Sequence, residues 1–150
     1  MLNKLMGYIN YKIKMLDEPT PWARASLAKL RRGTGKDPRQ VPEVWEITLG
    51  DLDADLAAKY DEPSYAEKAI HTALTLYALH KQGNDISLHC GDKDGFGFGD
   101  AMAKLRTGEN DAAVIRRFNM VVTANDLTEL AYHARGLIQL LRGCNQPANF

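Results

Sequence analysis

Residues 109–143 read ENDAAVIRRFNMVVTANDLTELAYHARGLIQLLRG, and this stretch decides the fold of the chain. After residue 126, apolar residues recur at intervals of three and four, which places them on one face of a helix: Leu127, Leu130, Ala131, Ala134, Leu137, Ile138 and Leu141. A second apolar arc precedes them: Val114, Ile115, Phe118, Val121 and Val122. The turn between the arcs offers Asn125 or Asp126 as a helix cap, and Gly143 stands where a helix commonly ends. The stretch therefore predicts two amphipathic helices.

Arginines border both of these apolar faces. Arg135, Gln139 and Arg142 follow the spacing i, i+4, i+7 and form a polar stripe along the second helix. On the first helix, Arg116 points away from the apolar arc and Arg117 lies on its flank. We therefore expect a buried face with arginines around it.

Helical spacing also dominates the rest of the chain, and we find no strand alternation, hairpin signal or internal repeat. Helices are predicted over 2–15, 21–32, 64–82 and 99–106, and Pro42 opens a short helical turn. A further short helix is suggested by three residues: Leu52, Leu56 and Tyr60. The predicted fold is all-α, a helical bundle of two small lobes.

A length of 150 residues suits one domain or two such lobes. We assign residues 1–82 to an N-terminal helical lobe and 99–150 to a C-terminal one, joined by a glycine-rich loop at 83–98. His71 and His80 are expected on the polar side or rim of the long helix.

The net charge is zero, but the charges are unevenly distributed. Residues 21–40 hold six basic side chains against one acidic, whereas residues 41–63 hold seven acidic side chains against one basic. The neutral total can therefore conceal a basic and an acidic surface. The two cysteines do not suggest a disulfide framework, and neither a secretory signal nor an apolar run of about 18 residues is present. A cytoplasmic protein without a membrane span is the default expectation.

No motif in the sequence predicts catalysis, a metal or a cofactor. The glycine run at 91–99 lacks the preceding strand and the Lys-Ser or Lys-Thr pair of a phosphate-binding loop. It is read as a flexible linker, or as a loop whose amides contact a phosphate near the next helix. The four histidines lack the repeated ligand spacing of a zinc site, and no nucleophile motif occurs. The chain is therefore not expected to be an enzyme.

Basic residues of the second helix carry the main functional signal. Arg24, Ala28 and Arg31 follow i, i+4, i+7, so the two arginines lie nearly in line. Composition alone favours a solvated helix face. The alternative is a surface whose guanidinium groups contact phosphate oxygens without reading bases.

Four blocks of sequence carry a resemblance to a known family. ARASLAKLRRG at 23–33 resembles the N-terminal signature of the CasB family, the small subunit of the type I-E CRISPR surveillance complex Cascade. The agreement continues in order with ALTLYALHKQG at 73–83, GDAMAKL at 99–105, and RRFN at 116–119 through YHARGLIQLLRG at 132–143. The resemblance spans nearly the whole chain.

The resemblance implies an all-α, non-catalytic subunit present as a pair of copies, a homodimer within the complex. Its partners would be other Cascade subunits, the crRNA, and both target and non-target DNA, because it helps to hold the R-loop. Guide pairing reads the sequence there, so the subunit needs only a charged track for phosphates. The alternative is a purely structural subunit that packs between other Cascade subunits.

Eight basic residues are the candidate nucleic-acid contacts. Arg24 is proposed from its position on the helical wheel, and the others follow from matching positions in the family motifs. The set is Arg24, Arg31, Arg32, Lys104, Arg116, Arg117, Arg135 and Arg142.

The sequence departs from the family pattern at two places. Asp100 stands where the family commonly has an arginine, which weakens one potential DNA contact. The family also usually continues with another helix beyond the Pro-Ala-Asn-Phe at 147–150, so the C-terminal lobe is expected to lack its last helix and to leave apolar surface uncovered.

Overall fold

The computed structural model describes residues 1–84, 89–91 and 97–150. Within these ranges the chain forms seven α-helices and no sheet, which confirms the all-α prediction. The helices are α1 (Leu2–Asp17), α2 (Pro21–Arg32), α3 (Trp45–Leu49), α4 (Tyr65–Lys81), α5 (Phe98–Lys104), α6 (Asp111–Val122) and α7 (Leu127–Gly143). Two 3₁₀ turns, Pro38–Gln40 and Pro42–Val44, precede α3. No described helix is both long enough and apolar enough to cross a bilayer.

Helices α2 and α7 begin at the caps that their sequences predict. Thr20 accepts a hydrogen bond from the Ala23 amide at 3.0 Å, with Pro21 in the first helical position. Asp126 caps α7 in the same way, accepting from the Glu129 amide at 2.8 Å. These caps satisfy amides that would otherwise lack partners in the first turn.

Helix α4 lies at the centre of the molecule. One of its faces joins α1, α2 and α3 in a first apolar cluster through Ile70, Leu74 and Tyr77. Leu76 and Leu79 of α4 join α5, α6 and α7 in a second cluster. The side chain of Phe150 packs against both clusters. The assignment of residues 1–82 and 99–150 to separate lobes stays a prediction.

The central position of α4 overturns the expectation for two histidines. His71 is only 3% exposed and His80 is fully buried, because helices cover α4 on several sides and leave it no continuous polar face. Each ring Nε2 instead contacts a backbone carbonyl, that of Gly33 at 3.2 Å for His71 and that of Gln146 at 2.9 Å for His80.

Other local expectations are also corrected. The segment with Leu52, Leu56 and Tyr60 forms turns rather than a helix. Side chains fold it back on itself, since Asp53 accepts from the Asp55 amide at 3.0 Å and Ser64 donates to the Leu56 carbonyl at 2.7 Å. Gly143 is the last residue of α7 and not a left-handed cap; Asn145 adopts the left-handed conformation, with φ 51°.

The apolar arc of α6 is only partly buried. Val114 and Val121 are buried, whereas Ile115 is 43% exposed and Val122 is 61% exposed. The helix therefore packs on α7 through a narrower stripe than its sequence predicts. The glycine run predicted to form a loop lies largely outside the described residues, which exclude 92–96.

The start of α4 carries a capping box with a measurable contribution to stability. Glu67 accepts hydrogen bonds from the amides of Ser64 and Ala58, each at 2.9 Å, and its own amide donates to the Ser64 hydroxyl at 3.0 Å. We expect Glu67→Ala to lower the free energy of unfolding by about 2–3 kcal/mol, because two partly buried amides lose their acceptors. Urea denaturation measures this loss. Glu67→Gln keeps one acceptor oxygen and should lose about half as much; equal stability of all three proteins would contradict the assignment.

Candidate nucleic-acid interface

The ends of α1, α2 and α4 enclose an open groove of about 490 Å³. Leu16, Ala23 and Leu27 form its apolar floor, and Arg24 and Arg31 line the wall contributed by α2. The two arginines share this wall because they are seven residues apart, two turns of the helix. The in-line arrangement predicted from the wheel is therefore present in the fold.

Arg142 of α7 approaches the same groove from the C-terminal part of the chain. Its Nη1 donates to the side-chain oxygen of Gln82, a groove residue, at 2.8 Å. Burial chiefly, and the like charge of Arg142 in addition, lower the pKa of the Arg31 guanidinium. Arg142 is thus joined to the groove through Gln82, and its positive charge acts on Arg31.

No described carboxylate forms an ion pair with Arg24, Arg31 or Arg142. The groove does hold two acidic residues, Asp17 and Glu18. Asp17 is engaged, because Lys81 Nζ lies 3.0 Å from its Oδ1 and the Tyr77 hydroxyl donates to the same oxygen. Arg24 and Arg31 therefore line the groove without an ion-pair partner, an arrangement that attracts an anion, while Glu18 is the one groove carboxylate without a described ion pair.

The remaining arginines of the predicted set are exposed. Arg32 follows Arg31 at the end of α2, and Arg135 lies seven residues before Arg142 on the α7 stripe. The loop after α2 passes α7 one turn before Arg135, since a Cβ on Gly35 would lie 3.4 Å from the Tyr132 Cα. The α2 end and the α7 stripe thus border the same junction.

The other candidate residues are not joined to the groove by any described contact. Arg116 and Arg117 are exposed on α6. Lys104 is exposed at the end of α5. The structure also gives Asp100 a local role, because its carboxylate accepts from the Gly97 amide at 2.8 Å at the start of α5. An arginine at position 100 could not accept this bond.

Two groove residues are missing from the sequence-based set, Lys81 and Gln82. Lys81 is only 8% exposed and forms an ion pair with the partly exposed Asp17. Gln82 positions the Arg142 guanidinium from 60 residues away in sequence. Nothing in the local sequence signals either role, because both depend on how α1, α4 and α7 pack.

The described residues contain no cluster of three or more histidine, cysteine or acidic side chains that could hold a metal ion. Cys90 and Cys144 are not joined in a disulfide. What the arrangement does offer is a pair of guanidinium groups, those of Arg24 and Arg31, along one wall of an open groove.

Comparisons with known proteins identify relatives of the chain. The family model described as CRISPR-associated protein Cse2 matches residues 26–150. Among solved structures, the crystal structure of CasB from Thermobifida fusca is similar, with 30% sequence identity and a TM-score of 0.78. That similarity covers 97% of this chain and 81% of the Thermobifida chain. The curated protein sequences gave no match.

Proposed function

Since this chain belongs to the CasB (Cse2) family of CRISPR-associated proteins, we propose that it is a non-catalytic Cascade subunit that binds nucleic-acid backbone. In this role it contacts target DNA and the displaced strand of the R-loop. It is one of two copies within a crRNA-guided complex in the cytoplasm. The other Cascade subunits are its protein partners.

The observation that carries this proposal is the groove lined by Arg24 and Arg31 and reached by Arg142 through Gln82, with no carboxylate partner for these arginines among the described residues. Guanidinium groups form paired, charge-assisted hydrogen bonds with phosphate oxygens. A phosphate placed between Arg31 and Arg142 would replace their mutual repulsion by two attractions. An anion bound between the two guanidinium groups would therefore lower the electrostatic energy of the groove.

The groove suits backbone contact better than base recognition. Among the described residues that line it there is no aromatic side chain on which a base could stack. Sequence selection by guide pairing makes such recognition unnecessary in an RNA-guided complex. Contacts of this kind position a strand and carry no sequence information.

A salt series tests the proposal on the isolated chain. We expect the logarithm of the affinity for a single-stranded oligonucleotide to fall with the logarithm of the salt concentration, with a slope of about −2 for three phosphate contacts. Fluorescence anisotropy at several salt concentrations measures the slope. Oligonucleotides of unrelated sequence serve as the control and should bind equally. A slope near zero, or strong sequence preference, would rule out the proposed mode.

The purely structural subunit is the second candidate function. It is favoured by the position of Arg31, Arg32 and Arg142 in the last turns of their helices, where a cation offsets the helix dipole. It is also favoured by the exposed apolar side chains Ile115 and Val122 beside Arg116 on α6. If this function holds, Arg116→Glu stops co-purification with the other subunits while DNA affinity is retained.

A further inference from the structure

A second groove lies on the N-terminal half of the molecule, within the region where acidic residues predominate. It holds about 180 Å³, and its apolar lining comprises Pro38, Trp45, Leu49, Ala58 and Pro63. The nucleic-acid proposal makes no use of this groove. Its location between the 3₁₀ turns, α3 and the start of α4 separates it along the chain from the arginines of α7.

The aromatic side chain that lines this groove, Trp45, is exposed but held in place. Trp45 is 43% exposed, and its indole nitrogen donates to the Pro38 carbonyl at 2.8 Å, which fixes the ring at the groove wall. Tyr60 and Tyr65, on either side of Pro63 in the chain, are each 88% exposed. Ordered, half-exposed aromatic side chains contribute a large contact area at a low entropic cost, and they are enriched at protein interfaces.

Carboxylates without a described ion pair occur in the groove and next to Trp45 along the chain. Asp61 lies in the groove, and Glu43 and Glu46 flank Trp45 along the chain. None of these three carboxylates forms an ion pair with a described residue. They therefore leave the groove open to a cationic partner and unfavourable to a phosphate backbone.

One basic residue lines the groove, and its charge is already compensated. Arg39 contacts Asp37 at 2.9 Å through Nε and Glu62 at 2.6 Å through Nη1. These two carboxylates raise the pKa of Arg39, with Asp37 the larger cause. Arg39 therefore does not repel an approaching cation as an unpaired arginine would.

We propose that this groove, defined by Trp45, Leu49, Pro63 and Asp61, is a docking site for a basic segment of another protein subunit. The apolar lining would receive an aliphatic or proline side chain of that segment. Asp61 and the nearby glutamates would pair with lysine or arginine on it. The inference rests on the proposed function for the source of the segment, namely the complex that the chain joins.

The test measures how tightly labelled variants of the full chain bind crRNA-loaded complex purified without this subunit. Trp45→Ala removes the aromatic wall and should weaken binding at least about tenfold, the size expected for a buried interface aromatic. Its matched control is Trp22→Ala, because Trp22 is 45% exposed on α2 and lies outside this groove. The control should change binding less than about twofold.

A charge reversal tests the electrostatic half of the inference. Asp61→Lys should weaken binding to the complex by about fivefold or more at low salt, and the loss should shrink as salt increases. Glu109→Lys makes the same change of charge at an exposed site away from the groove and should have little effect. Circular dichroism melts of all four variants verify that each is folded.

A parallel assay separates this inference from the proposed nucleic-acid function. Single-stranded DNA binding by the isolated chain depends on the arginine groove, so Trp45→Ala should leave it unchanged. Loss of DNA affinity in Trp45→Ala would show that the aromatic wall stacks bases, and it would overturn the docking site. Unchanged binding of both Trp45→Ala and Asp61→Lys to the complex would overturn it equally.

Discussion

Replacement of both Arg31 and Arg142 by alanine is expected to weaken single-stranded DNA binding about 25-fold at 0.1 M salt. Two phosphate contacts contribute about 1.4 to the salt slope, so their loss should flatten the slope by that amount. The two guanidinium groups act together because they meet at one groove, and Gln82 holds Arg142 there. Anisotropy titrations over a salt series measure both quantities.

The double variant Arg116→Ala, Arg117→Ala is the matched control. It removes the same two charges from an exposed surface of α6 that no described contact joins to the groove. We expect it to change the slope by less than half as much. An equal or larger change in the control would place the DNA contact on α6, in agreement with the family motif rather than with the groove.

Stability must be measured alongside binding in these variants. Arg31 and Arg142 both lie in the last turns of their helices, so each alanine should cost about 0.3–1 kcal/mol of helix stabilisation. That loss is small beside a typical unfolding free energy of about 5–15 kcal/mol. A weaker affinity in a folded variant therefore reports on the interface.

The second large effect concerns pH. Burial chiefly lowers the pKa of His80 to about 4, opposed by its bond to the Gln146 carbonyl, and the positive charge of Arg142 lowers it further. The unfolded chain has a histidine pKa of about 6.5, so between these values the unfolded state binds more protons. The stabilisation is complete above about pH 6.5 and is lost as the pH falls toward 4.

The expected loss from His80 is about 2 kcal/mol between pH 7.5 and pH 5, out of about 3 kcal/mol in total. Burial also lowers the pKa of His71, so it acts in the same direction. In His80→Gln, which retains a donor for the Gln146 carbonyl, the dependence of the unfolding free energy on pH should be about 2 kcal/mol smaller over this range. Urea denaturation at each pH measures the difference.

His133→Gln is the control, because it removes a histidine from α7 that is only partly buried. A His80→Gln protein whose stability falls with pH as steeply as that of the wild type would show that other groups cause the acid sensitivity. If His133→Gln reduced the pH dependence of the unfolding free energy as much as His80→Gln, the acid sensitivity could not be assigned to His80.

The starts of two helices follow directly from capping residues in the sequence. The Thr20-Pro21 pair fixes the start of α2, and Asp126 fixes that of α7, because a cap acts within three residues of itself. The same locality explains the error at residues 52–60. There the apolar spacing suggested a helix, but turns form instead, held by the hydrogen bond that Asp53 accepts and the one that Ser64 donates.

The family motifs and helical wheels likewise identified arginines one helix at a time. They aligned Arg24 with Arg31, and Arg135 with Arg142, since residues seven apart on a helix share a face. They could not show that α2 and α7 bring Arg31 and Arg142 together, or that Gln82 holds one of them.

The sequence by itself thus determined the all-α class, the caps and the faces on which the basic residues lie. Tertiary structure alone decided that α4 is buried, that burial lowers the pKa of His80, and which arginines line a groove. The physical reason is the separation along the chain over which each effect acts. Caps and helical faces arise from contacts within a few residues, whereas burial and the summed field of charges depend on side chains more than 60 residues apart in the chain.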